Sequence, residues 1–270
     1  MNAEEDRSWQ DVFGDMVYWK FEGIPSDVSV RSNAGFIECA VKLEKGARIL
    51  DLGPGLGGIS IELARRGYEV TGLEWSPPFI EAARRRAVEA GVDVRFIEGD
   101  MTRMTFDGEF DAVILWGNTF GMLSDEENVR TLQGIRRALK KGGSCLIDTQ
   151  NYTALPEKLH QGWLFSNEDQ NILMLTQGTK DVLRGRFGFT VLAIDLVTGK
   201  RHTMPMSWRL YLLPELRHVL EDVGLELLDV YGDDPAKVDW KEFRRGEPYP
   251  YAVEGFTDQA AKRILLCRRT

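Results

Sequence analysis

The sequence predicts an α/β protein with a doubly wound, mostly parallel sheet and an antiparallel β insertion. Between residues 48 and 148, short apolar runs typical of buried strands alternate with amphipathic helical segments. A glycine-rich turn, 53–58, follows the first of these strands. From 172 to 211, strand-like spacing of apolar residues recurs without a helix between the strands. A length of 270 residues suits one large domain with an embedded subdomain.

The first half of the chain predicts five strands and the helices that connect them. The strands are expected at 48–52, 68–74, 94–98, 110–116 and 144–148, and the helices at 59–66, 77–90 and 125–140. Ser76 is expected to cap the second helix, with Pro77 at its first position, where a missing N–H costs nothing. Ser124–Glu127 has the Ser-x-x-Glu form of a capping box and opens the third helix. Strands that alternate with helices favour a parallel sheet covered on both faces.

Outside this alternation, the sequence predicts three further segments. Residues 1–45 read as one or two amphipathic helices that carry aromatic residues and form an N-terminal cap. Residues 152–211 form the insertion, with two to four antiparallel strands and a hairpin tip at Thr198–Gly199. A helix at 213–224 and strands at 225–230 and 263–267 then complete the main domain, which spans 46–151 and 212–270.

Composition excludes several classes of protein. The formal net charge of −8 argues against a duplex nucleic acid partner, which usually requires a basic face. No stretch approaches the roughly 18–20 apolar residues that span a bilayer, and the acidic N-terminus is unlike a signal peptide. The sparse cysteines and the three scattered histidines predict neither a disulfide framework nor a metal site. We therefore expect a cytoplasmic protein without a metal.

The glycine-rich turn is consistent with two kinds of ligand site. Gly53, Gly55 and Gly58 satisfy the dinucleotide pattern G-x-G-x-x-G. Gly53, Gly55 and Gly57, with Asp51 ahead of them, satisfy the D/E-x-G-x-G-x-G pattern of methyltransferases. Glycines let the backbone turn sharply and approach a ligand closely. A tight turn without a ligand is the simpler alternative.

Acidic residues after the next two strands favour a ligand. Glu74 ends the second strand, where a carboxylate can bind a ribose diol. Asp100 follows the third strand, where it can accept from an adenine amino group while Met101 offers apolar surface to the ring. Either acid alone is as readily a solvated loop residue, but their joint placement favours a nucleoside-containing cofactor.

Five ordered motifs resemble the class I S-adenosylmethionine-dependent methyltransferases. The segments Gly121-Met-Leu-Ser-Asp-Glu-Glu-Asn and Arg209-Leu-Tyr-Leu-Leu-Pro-Glu-Leu are similar to bacterial enzymes of this fold that act on small molecules. The five motifs are Arg48-Ile-Leu-Asp-Leu-Gly-Pro-Gly, Glu74-Trp-Ser-Pro, Glu98-Gly-Asp-Met, Phe110-Asp-Ala-Val-Ile and Leu139-Lys-Lys-Gly-Gly-Ser. The resemblance implies a seven-stranded sheet whose last strand is antiparallel and lies between the fifth and sixth. It also implies that the insertion covers the substrate pocket.

The resemblance further implies S-adenosylmethionine as the cofactor, with S-adenosylhomocysteine as its product. The cofactor-binding residues it implies are Tyr18, Asp51, Gly53, Gly55, Gly57, Glu74, Trp75, Asp100, Met101 and Trp116. Two departures stand out. Pro54 replaces a small residue of the loop, and the segment Trp116–Thr119 lacks the Asn/Asp-Pro-Pro-aromatic motif of nucleic-acid amino-methylating relatives. The second departure argues against methylation of a base.

The methyl acceptor is expected at the carboxyl ends of the fourth and fifth strands. This nominates Asn118 and Asp148 as catalytic residues, with Thr119 and Asn151 beside them, and Tyr18 and Trp19 as aromatics that close the pocket. His160 and His202, in the insertion, are the candidate bases, although lone histidines are more often structural.

The sequence is compatible with four functions. The leading hypothesis is a methyltransferase that acts on an N or O atom of a small molecule, as a monomer or homodimer. A non-catalytic cofactor-binding module and a protein or RNA methyltransferase are alternatives. An NAD-dependent oxidoreductase is remote, since no Tyr-x-x-x-Lys or comparable hydride-transfer group is present.

Overall fold

Two β-sheets and five helices make up the part of the chain that the structure, a computed structural model, describes. These residues are 25–151, 163–166, 171–233, 251–252, 260 and 262–270. Of the predicted N-terminal cap, residues 1–45, the structure therefore describes the part from residue 25 onward, which contains helix α1 (Asp27–Val41). Within these ranges, no helix is long and apolar enough to cross a membrane.

The elements follow one another in the alternating order that the sequence predicts. They are β1 (Arg48–Leu52), α2 (Gly58–Arg65), β2 (Glu69–Glu74), α3 (Pro77–Ala90), β3 (Arg95–Glu98), a 3₁₀ turn (Met101–Arg103), β4 (Phe110–Leu115), α4 (Asp125–Ala138), β5 (Leu139–Gln150), β6 (Trp163–Ser166), β7 (Ile172–Asp181), β8 (Arg186–Asp195), β9 (Arg201–Arg209), α5 (Leu213–Asp222), β10 (Leu225–Asp233), β11 (Tyr251–Ala252) and β12 (Lys262–Arg269).

The main sheet has the strand order β11-β10-β12-β5-β4-β1-β2-β3. β12 is antiparallel to both of its neighbours, β5 and β10, while β1 to β5 are parallel to one another. The predicted fold class is confirmed, including the antiparallel last strand between the fifth and sixth. The two-residue strand β11, at the edge beside β10, is an addition to the predicted seven.

Helices cover both faces of this sheet, so its central strands are apolar on both sides. Along β4, Val113 and Leu115 pack with α4 and α5, whereas Ala112 and Ile114 pack with α1, α2 and α3. Two-sided burial explains why these strands read as continuous apolar runs in the sequence. It also leaves the carboxyl ends of the strands as the edge where polar loops gather.

Two local predictions about helix ends have different outcomes. The capping box is confirmed, because the Ser124 hydroxyl accepts from the Glu127 amide at 3.2 Å and the Glu127 carboxylate accepts from the Ser124 amide at 3.2 Å. The prediction that the Ser76 hydroxyl caps α3 is wrong, since it makes no capping hydrogen bond. The Ser76 backbone N–H instead donates to the Glu74 carboxylate at 3.0 Å.

Helix α4 is shorter than predicted and β5 is longer. The helix ends at Ala138 rather than Lys140, and Leu139 already has extended backbone angles. Leu139 is fully buried and pairs with Phe110 of β4, so burial in the sheet outweighs the helical spacing of the preceding residues. The Lys-Lys-Gly-Gly segment is thereby part of the strand.

The second sheet contains four antiparallel strands in the order β6-β7-β8-β9. Three of them lie where strand-like spacing predicts them, and Thr198–Gly199 lies in the turn between β8 and β9, as expected. Strand β6 precedes the predicted strands. One face of this sheet carries Met174, Val191, Met204, Met206 and other buried apolar side chains.

The second sheet is attached to the main domain through the loop between β4 and α4. The Arg209 amide donates to the Gly121 carbonyl at 2.7 Å, and the Arg186 guanidinium donates to the Leu123 carbonyl at 3.2 Å. The Arg209 side chain also pairs with Asp125 at 3.3 Å. Gly121 permits this approach, because a Cβ there would lie 2.7 Å from the Arg209 carbonyl oxygen.

We expect Gly121→Ala to lower the free energy of unfolding by about 3 kcal/mol, from strain at positive φ together with the clash against Arg209. Gly117→Ala is the matched control, because Gly117 also has a positive φ (78° against 94°) but a Cβ there meets no atom within 4 Å. The control should lose only about 1 kcal/mol. Urea denaturation measures both losses, and equal losses would show that the junction does not constrain residue 121.

Candidate active site

The site lies where the strand order of the main sheet reverses. From β1 the chain passes to β2 and β3 on one side, and later to β4 and β5 on the other. In open α/β sheets, the loops at the carboxyl ends of the strands part at such a point and leave a crevice for a ligand. Here the two loops are the glycine loop after β1, 53–57, and the loop after β4, 116–121.

The glycines of the first loop are required for two different reasons. Gly53, Gly55 and Gly57 all have positive φ angles, of 68°, 55° and 75°, which disfavour other residues. A Cβ at Gly57 would lie 2.8 Å from the Phe96 ring, so this glycine is required by packing against the main domain. A Cβ at Gly53 would lie 3.5 Å from Thr119 and 3.7 Å from Met101, so Gly53 keeps the crevice between them open.

Glu74, at the end of β2, fixes the shape of the glycine loop. One carboxylate oxygen accepts from the Gly55 amide at 3.0 Å, and the other accepts from the Ser76 amide at 3.0 Å. The side chain is buried, and burial raises the pKa of Glu74 while the backbone amides oppose that rise. The Trp75 amide also bonds to this carboxylate, whose remaining capacity can accept from a ligand hydroxyl. The adjacent Trp75 is half-buried.

Asp51 lies at the end of β1, beneath the same loop. It accepts a hydrogen bond of 2.5 Å from the Ser60 hydroxyl. Burial, followed by the nearby charge of Glu74, raises the pKa of Asp51 to about 7, and the Ser60 hydroxyl opposes the rise. Two acidic groups therefore lie close together under the glycine loop, and a cation bound beside them would stabilise their ionised forms.

The residues after β3 border the crevice on its far side. Asp100 caps the 3₁₀ turn, since its Oδ1 accepts from the amide and the hydroxyl of Thr102 at 2.8 and 2.7 Å. The other oxygen, Oδ2, lies 3.7 Å from the Arg103 guanidinium, and the Asp100 side chain is 43% exposed, so this ion pair is accessible to a ligand. Met101 reaches back toward Gly53 with its terminal methyl.

The loop after β4 contains a residue in an uncommon conformation. Asn118 has a φ of 67°, in the left-handed region, and its carbonyl accepts from the Trp208 indole N–H at 2.7 Å. Its side-chain Oδ1 is buried and has no hydrogen-bond partner among the described residues. Trp116, proposed as a cofactor contact, is buried with its ring centroid 6.0 Å from that of Phe36.

The residues at the end of β5 support this loop. Asp148 is fully buried, and its Oδ2 accepts from the Gly117 amide at 3.1 Å. The Asn151 side chain donates to the Ala260 carbonyl at 2.7 Å, which joins the end of β5 to the residues before β12. The structure thus brings Asp148, near the carboxyl end of β5, into contact with Gly117, the residue before Asn118, as their places at strand ends predict.

The structure does not bring His202 to this site. His202 lies at the start of β9, six residues before Trp208, and at about 3.3 Å per residue the strand places it roughly 20 Å from Trp208. His160, Tyr18 and Trp19 lie outside the described residues. Their proposed roles stay predictions.

Two residues at the site were not singled out from the sequence. Ser60, in the first turn of α2, donates to Asp51. The sequence could have indicated this contact, because the short glycine loop brings the start of α2 back to the end of β1. Trp208 is 90 residues distant from its partner Asn118, and no local pattern signals that contact.

The strand order and the site define the class I methyltransferase architecture, in which an antiparallel strand lies between the fifth and sixth strands and a glycine loop lies at the point of reversal. Residues 49–143 match the family model described as a methyltransferase domain. Over these residues the chain is therefore similar to the methyltransferase domain family, and its fold is the Rossmann-like methyltransferase fold.

Curated relatives match this domain more than the rest of the chain. A putative methyltransferase, YqeM of Bacillus subtilis, is 35% identical over half of this chain and 54% of its own length. The cypemycin N-terminal methyltransferase of a Streptomyces species is 38% identical over 38% of this chain and 42% of its own length. The chain thus spans about half the length of these relatives. A glycine/sarcosine N-methyltransferase of Parasynechococcus marenigrum is 28% identical over 70% of this chain and 67% of its own length.

Solved structures resemble the chain over nearly its whole length. The CcbJ methyltransferase of Streptomyces caelestis superposes with a TM-score of 0.75 at 20% identity, covering 96% of this chain and 98% of that one. CalS10, an amino pentose methyltransferase from Micromonospora echinaspora, superposes with a TM-score of 0.65 at 19% identity, covering 94% and 95%. These likenesses show that the fold is shared.

The raised pKa of Asp51 makes stability depend on pH. The folded protein keeps the Asp51 proton up to about pH 7, whereas the unfolded chain loses it near pH 3.8, so stability falls as the pH rises between these values. Above pH 7 the cost reaches about 4 kcal/mol, at 1.36 kcal/mol per pKa unit. We expect ligand-free Asp51→Asn to gain stability over the wild type as the pH rises from 5 to 8, measured by urea denaturation.

Asp111→Asn is the matched control for this measurement. Burial would raise the pKa of Asp111, but hydrogen bonds from Lys140 and the Arg48 amide outweigh it and lower the pKa. Asp111 is therefore ionised at both pH values, and its variant should differ from the wild type by the same amount at each. A pH-independent difference for Asp51→Asn would show that Asp51 does not titrate in this range.

Proposed function

We propose that the chain binds S-adenosylmethionine in the crevice between the β1 and β4 loops and transfers its methyl group to an N or O atom of a small molecule. One observation carries this proposal. The glycine loop lies at the reversal point with two buried acids beneath it, and Gly53 leaves open the space that Thr119 and Met101 border.

The charges at the loop favour S-adenosylmethionine over a dinucleotide. A pyrophosphate needs free backbone amides and a positive potential. The Gly55 amide already donates to Glu74, and Asp51, which is only half ionised near pH 7, adds a second acidic group beneath the loop. That environment disfavours phosphate and suits the ammonium and sulfonium groups of S-adenosylmethionine.

Each part of the cofactor has a counterpart among the described residues. At Gly53, the absence of a side chain would let the backbone lie close to the aminoacyl end of the cofactor. The remaining lone pairs of Glu74 suit the ribose hydroxyls, and the half-buried Trp75 adjoins them. The Oδ2 of the partly exposed Asp100, beside Arg103, suits the amino group of the adenine, and the thioether of Met101 suits its face.

When bound, S-adenosylmethionine would supply an electrophilic methyl group. A lone pair of the acceptor forms the new bond to the methyl carbon while the carbon–sulfur bond breaks. The electron pair of that bond stays on sulfur, which gives S-adenosylhomocysteine. The chain aligns the acceptor and excludes water. Asn118 is suited to orient it, because its buried Oδ1 can accept from an N–H or O–H on the attacking atom. Asp148 holds the loop through the Gly117 amide.

An amine is the acceptor that these residues favour. A neutral amine needs no base before it attacks, whereas a hydroxyl usually does. Asp148 is already bonded to Gly117, and His202 lies far along β9, so neither is placed to remove a proton from a hydroxyl. Three of the similar proteins are named for amino-group methylation or for an amino sugar substrate: the cypemycin enzyme, the glycine/sarcosine enzyme and CalS10.

We test the function first by ligand binding and then by turnover. S-adenosylhomocysteine should raise the melting temperature, since it binds the folded state alone, and NAD should not. A panel of amino sugars, amino acids and peptides with free N-termini should then contain an acceptor that yields S-adenosylhomocysteine, and phenols should not. Stabilisation by NAD in place of S-adenosylhomocysteine would overturn the proposal.

We expect Gly53→Ala to weaken S-adenosylhomocysteine binding by at least tenfold, because the added methyl group enters the space between Thr119 and Met101. Isothermal titration calorimetry measures the affinity. Gly91→Ala is the matched control, since Gly91 has a φ of 67° against 68° at Gly53 and a Cβ there meets no atom within 4 Å. Both variants should lose about 1 kcal/mol of stability. An equal loss of affinity in both would mean that Gly53 does not border the cofactor.

A further inference from the structure

Trp208 joins the second sheet to the loop after β4. It lies near the end of β9 and donates its indole N–H to the Asn118 carbonyl at 2.7 Å. The indole is buried, and it stacks on Phe189 of the neighbouring strand with ring centroids 5.1 Å apart and an interplanar angle of 22°. The donor therefore comes from a rigid aromatic pair.

Asn118 needs such a partner. It and Lys42 are the two non-glycine residues with positive φ in the part of the chain that the structure describes. Left-handed backbone is less stable for a residue with a Cβ, although asparagine tolerates it better than most. A hydrogen bond to the Asn118 carbonyl fixes the orientation of the peptide after it and so favours this conformation.

The conformation of Asn118 determines where its amide points. Its Oδ1 is buried without a partner among the described residues, and a buried acceptor in that state is costly unless a ligand satisfies it. The next residue, Thr119, borders the open space at Gly53. Under the proposed function, which places the cofactor at Gly53, Asn118 is one residue from the border of the space where the transferred methyl group and the acceptor would meet.

The junction around Trp208 resists movement. The adjacent Arg209 donates its amide to the Gly121 carbonyl at 2.7 Å. Strand β9 is thus hydrogen-bonded to the loop at residues 118 and 121. A change in the position of the second sheet must move Asn118 with it.

We propose that Trp208 is a positioning residue for methyl transfer, which acts through Asn118 and couples the second sheet to the reacting centre. The proposal rests on the proposed function. It assigns the second sheet a task beyond covering the site, because the sheet supplies the hydrogen bond that orders the acceptor-binding amide.

Sinefungin tests the proposal without knowledge of the acceptor. In this analogue an amine-bearing carbon replaces the methylated sulfur, so its ammonium group projects toward the acceptor, whereas S-adenosylhomocysteine has nothing there. We expect the wild type to bind sinefungin at least tenfold more tightly than S-adenosylhomocysteine, because a charged donor meets the Asn118 amide oxygen. Calorimetry gives the ratio of the two dissociation constants.

Trp208→Phe removes the N–H and keeps an aromatic ring over Phe189. We expect this variant to bind S-adenosylhomocysteine with an affinity within twofold of that of the wild type. The ratio of its dissociation constants for S-adenosylhomocysteine and sinefungin should fall about tenfold. Phe189→Leu is the matched control, since it disturbs the stack but keeps the indole N–H, and it should retain the preference.

A double-mutant cycle shows whether Trp208 acts through Asn118. Asn118→Gly adopts positive φ readily but lacks the amide, so it should lose the preference as fully as Trp208→Phe does. The double variant should lose no more than either single variant, because both remove the same contact. Additive losses would overturn the proposal.

The remaining outcomes are also decisive. An equal loss of affinity for both ligands in Trp208→Phe, no loss for either, or the same selective loss in Phe189→Leu would each overturn the positioning role. A wild type that binds both ligands equally would overturn it too, while the proposed function would stand. A wild type that binds neither ligand would contradict the proposed function itself.

Discussion

The hydrogen bonds of the Glu74 carboxylate are the interaction on which the site depends. Its two oxygens accept from the Gly55 and Ser76 amides, so one side chain ties together the glycine loop, the end of β2 and the start of α3. The Gly53 amide adds a bond to the Leu73 carbonyl in the same place. Because these bonds form within the protein, the loop is shaped before a ligand arrives and loses little conformational entropy on binding.

The buried acids under the glycine loop lower the stability of the ligand-free protein. A carboxyl at the position of Asp51 is held at the cost of its desolvation, with the Ser60 hydroxyl as partial compensation. An apolar residue would pack there without that cost. Retention of two acids under one loop makes sense for a ligand that brings positive charge, since its arrival stabilises the ionised form of both groups.

The sequence predicts the local features of this protein well and the long-range ones poorly. Apolar runs, caps and glycine turns are local, so they give the strands, the capping box at Ser124 and the position of Glu74. The Ser76 prediction failed because Pro77 and Pro78 have no N–H to cap, and the Phe79 amide donates to the Ser76 carbonyl instead. Gly57 matches a ligand motif, yet its contact with Phe96 gives it a packing role that no motif expresses. The bond between Trp208 and Asn118 depends on how two sheets meet, which a linear pattern does not encode.

The junction between the second sheet and the β4–α4 loop has an evolutionary consequence. The polar contacts of Arg186, Trp208 and Arg209 with this loop converge on one corner of the insertion, while the hairpin tip at 196–200 lies at the opposite ends of β8 and β9. Under the proposed function, hairpins can lengthen, shorten or change sequence beyond that corner and leave the cofactor loop intact. Recognition of new acceptors can therefore diversify by remodelling a peripheral module, while the catalytic framework is inherited unchanged.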